Sequence, residues 1–165
     1  MEDTTNERQV FDTRKFRNAL GRFASGITVI TIQYEGRAHG MTANSFVSVS
    51  LDPPLVMVSI NLRNSTLEHF LHSSHFAVNV LAHDQEHHSR RFAKHAADRF
   101  QGVEWQSAES GAPLIEGALA HLECSKARWF EAGDHAVLIG QVVRAGCRDG
   151  RPLLFFQSSY ASILD

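Results

Sequence analysis

Cysteine is scarce in this 165-residue chain: Cys124 and Cys147 are the only two, and neither stands in a C-x-x-C pair. That excludes a disulfide framework and the usual zinc spacings, and makes a reduced, cytoplasmic setting the expectation. Basic charge is not in surplus, with 16 Lys and Arg against 18 Asp and Glu, so the cationic face of a nucleic-acid binder is not expected. No apolar run approaches the roughly 20 residues needed to cross a bilayer, and Met1 to Arg8 is polar and acidic without an apolar signal core. No membrane association is expected. The chain also lacks a G-x-G-x-x-G after a strand, which excludes a Rossmann nucleotide domain. Ten histidines are present without an H-E-x-x-H pattern, so no metal site is expected.

With 43% hydrophobic and 21% charged residues, the chain suits one globular core without staples: a polar tail over residues 1–12 and a single domain over 13–165. Asp12 or Thr13 can cap a packing helix in which Phe16, Leu20 and Phe23 recur at helical spacing. Strands are expected at Ile27–Tyr34, over the whole of Gly40–Ser50, at Leu55–Ile60 and at Phe76–Leu81, with turns at Glu35-Gly36-Arg37 and Pro53-Pro54. Ser65-Thr66-Leu67-Glu68 matches a capping box opening a helix that buries Leu67, Phe70 and Leu71. Asp84 is expected to cap a further helix carrying Arg90, Arg91, Phe92 and Lys94. Phe100–Pro113 reads as irregular, whereas Ala118–Phe130, Ala136–Ala145 and Pro152–Tyr160 read as strands. Many antiparallel strands with two or three short helices imply a mainly β, closed barrel.

From Gly40 to Val56, small and hydroxyl-bearing residues dominate where a core strand would carry bulk, so a flat, polar-edged molecule could lie there. The alternative is a small-residue strand packed closely on its neighbour. Ser65 and Thr66, at a helix start, offer amides and hydroxyls to an anion, although an ordinary capping box without a ligand is commoner. Arg90 and Lys94 fit a solvated helix face equally well.

The segment Gly40-Met41-Thr42-Ala43-Asn44-Ser45-Phe46, the run Ser50-Leu51-Asp52-Pro53-Pro54-Leu55 and the later Gly133-Asp134-His135 resemble the flavin reductase family. Gly26-Ile27-Thr28-Val29-Ile30-Thr31 and Phe76-Ala77-Val78-Asn79-Val80-Leu81 add to the resemblance, which runs from about Phe16 to about Tyr160. It implies an FMN-binding split β-barrel, a Greek-key antiparallel barrel with a few short helices, that works as a homodimer. It also implies hydride transfer from NADH, with NADPH as the alternative, to FMN or FAD, and delivery of free reduced flavin to a flavin-dependent monooxygenase.

The same resemblance places Thr42, Ala43, Asn44 and Ser45 along the polar rim of the flavin ring and Ser59, Ile60 and Asn61 along its ribityl and pyrimidine side. Ser65, Thr66, Arg91 and Phe92 fall near the flavin phosphate. His135 is the expected catalytic residue at the nicotinamide, and Tyr160 either stacks over the nicotinamide or plugs a barrel end. No pair of arginines stands out for a 2'-phosphate, which tilts the expectation to NADH, and nothing assigns contacts to the adenine end. Two other readings remain: a flavin carrier or sensor without turnover, and an FMN oxidase of the pyridoxamine-phosphate type.

Overall fold

The computed structural model describes residues 11–96 and 98–163. Helix α1 (Thr13–Leu20) leads into the short strand β1 (Ser25–Gly26), then β2 (Thr28–Tyr34), β3 (Arg37–Ala43), β4 (Val47–Leu51), β5 (Pro54–Asn61) and helix α2 (Leu67–His72). Strand β6 (His75–Val80), a 3-10 turn at His83–Gln85, helix α3 (Glu86–Ala93) and the small pair β7 (Trp105–Ser107) and β8 (Pro113–Ile115) follow. Two long strands, β9 (Ala120–Ala132) and β10 (His135–Cys147), precede a terminal hairpin of β11 (Leu154–Phe156) and β12 (Ser159–Ala161).

Seven strands make one antiparallel sheet in the order β3-β2-β6-β9-β10-β5-β4, so the protein is mainly β. The hydrogen-bonded ladder has β3 and β4 at its ends and does not close on itself among the described residues. Curvature enters where register slips: Ala127 on β9 and Val143 on β10 are extra residues opposite their partners, the signature of bulges that bend and twist a ladder. On β5 the inward side alternates Val56, Val58 and Ile60, while Ala136 to Gly140 of β10 is buried on both faces. The larger apolar cluster gathers Ile30, Ile32, Phe70, Phe76, Val78 and Leu138; a second joins Val29, Leu81, Phe92, Ile115 and Leu153.

Buried polar groups are satisfied rather than avoided. Fully buried Asn79 donates to the Val29 carbonyl (3.0 Å) and Thr31 Oγ1 (3.1 Å) and accepts from the Ile115 amide (2.8 Å), tying β8 to the sheet. Lys126 of β9 donates to the Phe70 and Leu71 carbonyls at the end of α2, a cation meeting the negative pole of a helix.

Several sequence expectations change. The Gly40–Ser50 strand splits at Asn44–Phe46, because the Ser45 hydroxyl leaves the β3 ladder and bonds the Ser59 backbone of β5. The final strand folds back at Gln157-Ser158, both at positive φ (49° and 63°), which makes a primed hairpin turn. Arg37 pairs with Tyr34 instead of sitting in the turn, where Glu35 and Gly36 carry the positive φ. The stretch expected to be irregular contains β7, held by β8.

No capping box forms at α2: Asn64 Oδ1 accepts from both the amide (2.9 Å) and hydroxyl (2.7 Å) of Thr66. Asp84 caps nothing, since Gln85 Oε1 instead accepts from the Ala82 amide (3.0 Å). Asp12 does cap α1, accepting from the amides of Arg14 and Lys15, both at 3.0 Å. That helix buries none of its residues among the described ones, however: Phe16 and Leu20 are exposed, as is Phe23 just beyond it, at 81%. Of the expected polar tail, residues 1–10 lie outside the described residues.

At Gly140 an added Cβ would stand 2.4 Å from Phe76 Cζ and 2.9 Å from Cys124 Cβ. Gly140→Ala is expected to lose about 1–3 kcal/mol of stability in urea unfolding; an unchanged midpoint would mean that the Phe76 ring can yield.

Candidate functional site

Helix α3 lies on β3 because Gly40 has no side chain. A Cβ there would meet the Phe92 ring at 2.8 Å. This close approach sets Ser89 and Ala93 of α3 against Thr42 of β3, and Thr42 Oγ1 donates to the Ser89 carbonyl (2.7 Å). Ser89 Oγ then meets Tyr160 OH at 2.9 Å, and the Arg90 guanidinium stands 4.7 Å above the Tyr160 ring. Around this chain of bonds opens a mainly apolar hollow of about 220 Å³, lined by Ile27, Thr42, Asn44, Ser89, Ala93, Phe155 and Tyr160.

Thr42 and Ala93 also line a second hollow, of about 340 Å³, whose far wall carries Asn61, Arg63, Asn64, His95 and Arg99. Its character is cationic, with no carboxylate in the lining. Arg99 is 8% exposed, and its charge is met by the Gly40 carbonyl (2.7 Å from Nη1) and the Lys94 carbonyl (2.8 Å from Nε). Burial pulls its guanidinium below the ordinary value. Ser65 Oγ sits 3.3 Å from His95 Nδ1 on the same rim.

The residues singled out from the sequence divide between these hollows and the fabric around them. Thr42, Asn44 and Tyr160 line the first hollow; Thr42, Asn61 and Phe92 line the second. Phe92 is a wall rather than a contact surface, 1% exposed in the core. Ser45 and Ser59 spend their polar groups on each other: Ser45 Oγ donates to the Ser59 carbonyl and accepts its amide, both at 3.0 Å. Ala43 and Ile60 face the core.

At α2 the amides are less free than expected. The Thr66 amide donates to Asn64 Oδ1 and the Leu67 amide to the Asn64 carbonyl (3.0 Å), so what the second hollow offers an anion is side chains rather than these amides. Arg91 is exposed and donates to the Gln101 carbonyl (2.8 Å), lining neither hollow.

His135 opens β10 directly opposite Asn61 of β5, after the left-handed Gly133 (φ 62°). Its Nδ1 lies 2.7 Å from Asp134 Oδ1, and that hydrogen bond holds the Asp134 carboxyl below the usual carboxylate range. In the neutral ring, a proton on Nδ1 engaged with Asp134 leaves Nε2 as the acceptor; in the charged ring both nitrogens donate. Sequence reasoning missed Ser89, Phe155, Arg63, His95 and Arg99. Only the Asn61-Leu62-Arg63-Asn64 loop carried a signal, because asparagines in such loops bond amides two residues on, as Asn61 does to Arg63 (2.9 Å).

An apolar hollow and a cationic one that share Thr42 and Ala93 in their linings are suited in shape and charge to a flat molecule that carries a phosphate. The chain belongs to the flavin reductase family, since the "Flavin reductase like domain" matches residues 20–164. It is 45% identical over 144 residues to FMN reductase (NADH) SmoA of Agrobacterium fabrum, spanning 87% of this chain and 82% of that one. It is 36% identical to the flavin-dependent monooxygenase reductase subunit HsaB of Rhodococcus jostii, over 94% of this chain and 80% of that one. Among solved structures, the NADH:FAD oxidoreductase SgcE6 of Streptomyces globisporus, in complex with NAD and FAD fragments, superposes with a TM-score of 0.88 at 40% identity, covering 93% of both chains.

Ser89→Ala and Tyr160→Phe each remove one side of the 2.9 Å bond. A double-mutant cycle in thermal unfolding is expected to return a coupling of about 0.5–1.5 kcal/mol. A coupling of zero would mean that the two hydroxyls do not hold the hollow's wall.

Proposed function

We propose that the protein is a flavin reductase that passes hydride from NADH to FMN or FAD and releases the reduced flavin to a separate monooxygenase. The observation that carries this reading is that Thr42 and Ala93 line both the apolar hollow beside Tyr160 and the cationic hollow of Arg63, His95 and Arg99. A flavin ring needs the first kind of surface and its phosphate the second. Nicotinamide supplies the hydride and the flavin accepts it; the chain's own task is to hold the two rings at near-attack distance and keep water out. Thr42, Asn44 and Asn61 offer polar edges to the flavin, and the Ser65 hydroxyl with Arg63 and His95 offers donors to its phosphate. His135, whose Nδ1 is engaged by Asp134, turns Nε2 to the nicotinamide carboxamide. Tyr160 covers the stack. Arg91, Ala43, Ser45, Ser59 and Ile60 act on this reading through the backbone and fold rather than by side-chain contact.

The wider reading follows the family. A single domain over residues 13–165 adopts the split-barrel arrangement, works in the cytoplasm and pairs as a homodimer. Pairing is supported by apolar side chains this chain leaves open, among them Phe16 and Leu20 on α1 with Phe23 after it, Val47, Val49 and Leu51 on β4, and Trp129 and Phe130 on β9. Among the described residues no helix is long and apolar enough to cross a membrane.

The deciding experiment follows NADH and NADPH oxidation by absorbance with no flavin, with FMN and with FAD. Consumption that requires added flavin is the expected result and ranks both substrates. Its absence under every condition would favour a flavin carrier or an oxidase with another substrate.

His135→Ala is expected to slow hydride transfer by about 10²-fold or less with little change in flavin affinity, because it positions rather than transfers a proton. Ser65→Ala combined with Thr66→Ala should mainly weaken flavin binding; the reverse pattern would exchange the two sub-sites. Light scattering should return the mass of two chains, and a fully active monomer would remove the need for pairing.

A further inference from the structure

A second cationic hollow, separate from the one beside Arg99, opens between the end of α1 and the tip of the terminal hairpin. It measures about 320 Å³ and is lined by Arg17, Asn18, Gly21, Arg22, Gln157 and Ser158. No carboxylate lines it. Arg90 and Arg144 are each paired with a glutamate, whereas Arg17 and Arg22 have no side-chain partner among the described residues. Two elements hold the hollow in shape, because the Gln157 amide donates to the Gly21 carbonyl (3.0 Å) and pins the hairpin tip to the helix end. An amide and a hydroxyl from Asn18 and Ser158 complete a donor set suited to phosphate oxygens.

The hairpin also ties this hollow to the ring site. Phe155 and Tyr160, paired across β11 and β12, line the apolar hollow, and Gln157-Ser158 lies two residues further along the same strands. That is roughly 7 Å at the usual strand rise, well within the span of a dinucleotide. Hydride transfer brings together two phosphate-bearing molecules with their rings in contact. Two phosphates at one anion site repel each other, and the hollow of Arg63, His95 and Arg99 borders the ring site at Thr42 and Ala93, whereas this one adjoins it along the hairpin.

We propose that Arg17 and Arg22, with the tip of the β11–β12 hairpin, form an anion subsite for the diphosphate arm of a dinucleotide whose ring lies against Tyr160. The inference rests on the reductase reading and adds to it an anchor toward the adenosine end, to which the sequence assigned no contacts. The diphosphate can belong to NADH or to FAD, and the two sources separate in the test.

The probe is ADP, titrated by calorimetry into the full chain and into the Arg17→Gln, Arg22→Gln double variant, alongside KM values for NADH, FMN and FAD. ADP is expected to bind the unaltered protein with a salt-sensitive affinity and to compete with NADH. The double variant is expected to weaken ADP binding about tenfold, to raise the KM for NADH by a similar factor with a much smaller change in kcat, and to leave the KM for FMN in place. A rise in the KM for FAD instead of NADH would assign the same subsite to the flavin's diphosphate. Equal ADP affinity in both proteins, with the KM values for NADH and FAD both unmoved, overturns the proposal. Arg17→Lys with Arg22→Lys keeps the charge, and retained ADP affinity there separates loss of a binding site from loss of fold. If no flavin supports NADH oxidation the reductase reading fails, while the ADP titration still decides whether this hollow binds a diphosphate.

Discussion

The bond from Thr42 Oγ1 to the Ser89 carbonyl and the bond between Ser89 Oγ and Tyr160 OH join three distant segments: the second strand of the sheet, the third helix and the last hairpin. Everything proposed for the site depends on that junction. Ser89 is 1% exposed, so both bonds are shielded from competing water and hold their geometry more firmly than surface bonds would. Without the junction the Tyr160 hydroxyl would lose its tie to α3, and the ring would be held only through Phe155 and the Arg90 guanidinium.

The junction in turn rests on a missing side chain. Gly40 lets Phe92 press onto β3, and the same backbone carries the carbonyl that accepts from buried Arg99. One position therefore serves the packing of α3, the approach of Ser89 to Thr42 and the neutralisation of a cation at the edge of the second hollow. A side chain at residue 40 would disturb all three together. This coupling explains why small residues gather here without each touching a ligand: Ala43 and Gly40 shape the floor, while Thr42 and Asn44 face the space above it.

How much of this was legible in the sequence follows from the range of the interactions involved. Local signals were readable: the apolar run that became β5, the Asp12 cap, and the turn at Gly133 between two long strands. Contacts between residues far apart in the chain were not. Ser89 meets Tyr160 across 71 positions and Arg99 meets Gly40 across 59, and neither pairing leaves a trace in spacing or composition. The capping box at Ser65 failed for a different reason, because Asn64, one residue earlier, is the better acceptor and takes both donors of Thr66. Likewise α1 has the periodicity of a packing helix, but periodicity records that a face is apolar and says nothing about which chain covers it.

The size of the ring site bears on how a flavin would be held. Sites that bury most of a drug-sized ligand enclose roughly 300–1,000 Å³, whereas the apolar hollow here measures about 220 Å³ and lies open to the solvent at Asn44. One chain cannot enclose a flavin ring and a nicotinamide together. On the proposed reading each ring would be covered by the other, by a second subunit, or by both. A ring covered chiefly by its reaction partner loses that cover when the oxidised nucleotide leaves, and its remaining contacts are phosphate anchors at the cleft's edge that water and salt weaken. Shallow burial thus favours release of the reduced ring after each transfer. That is the physical requirement for a reductase that hands its product to another protein instead of keeping it as a bound cofactor.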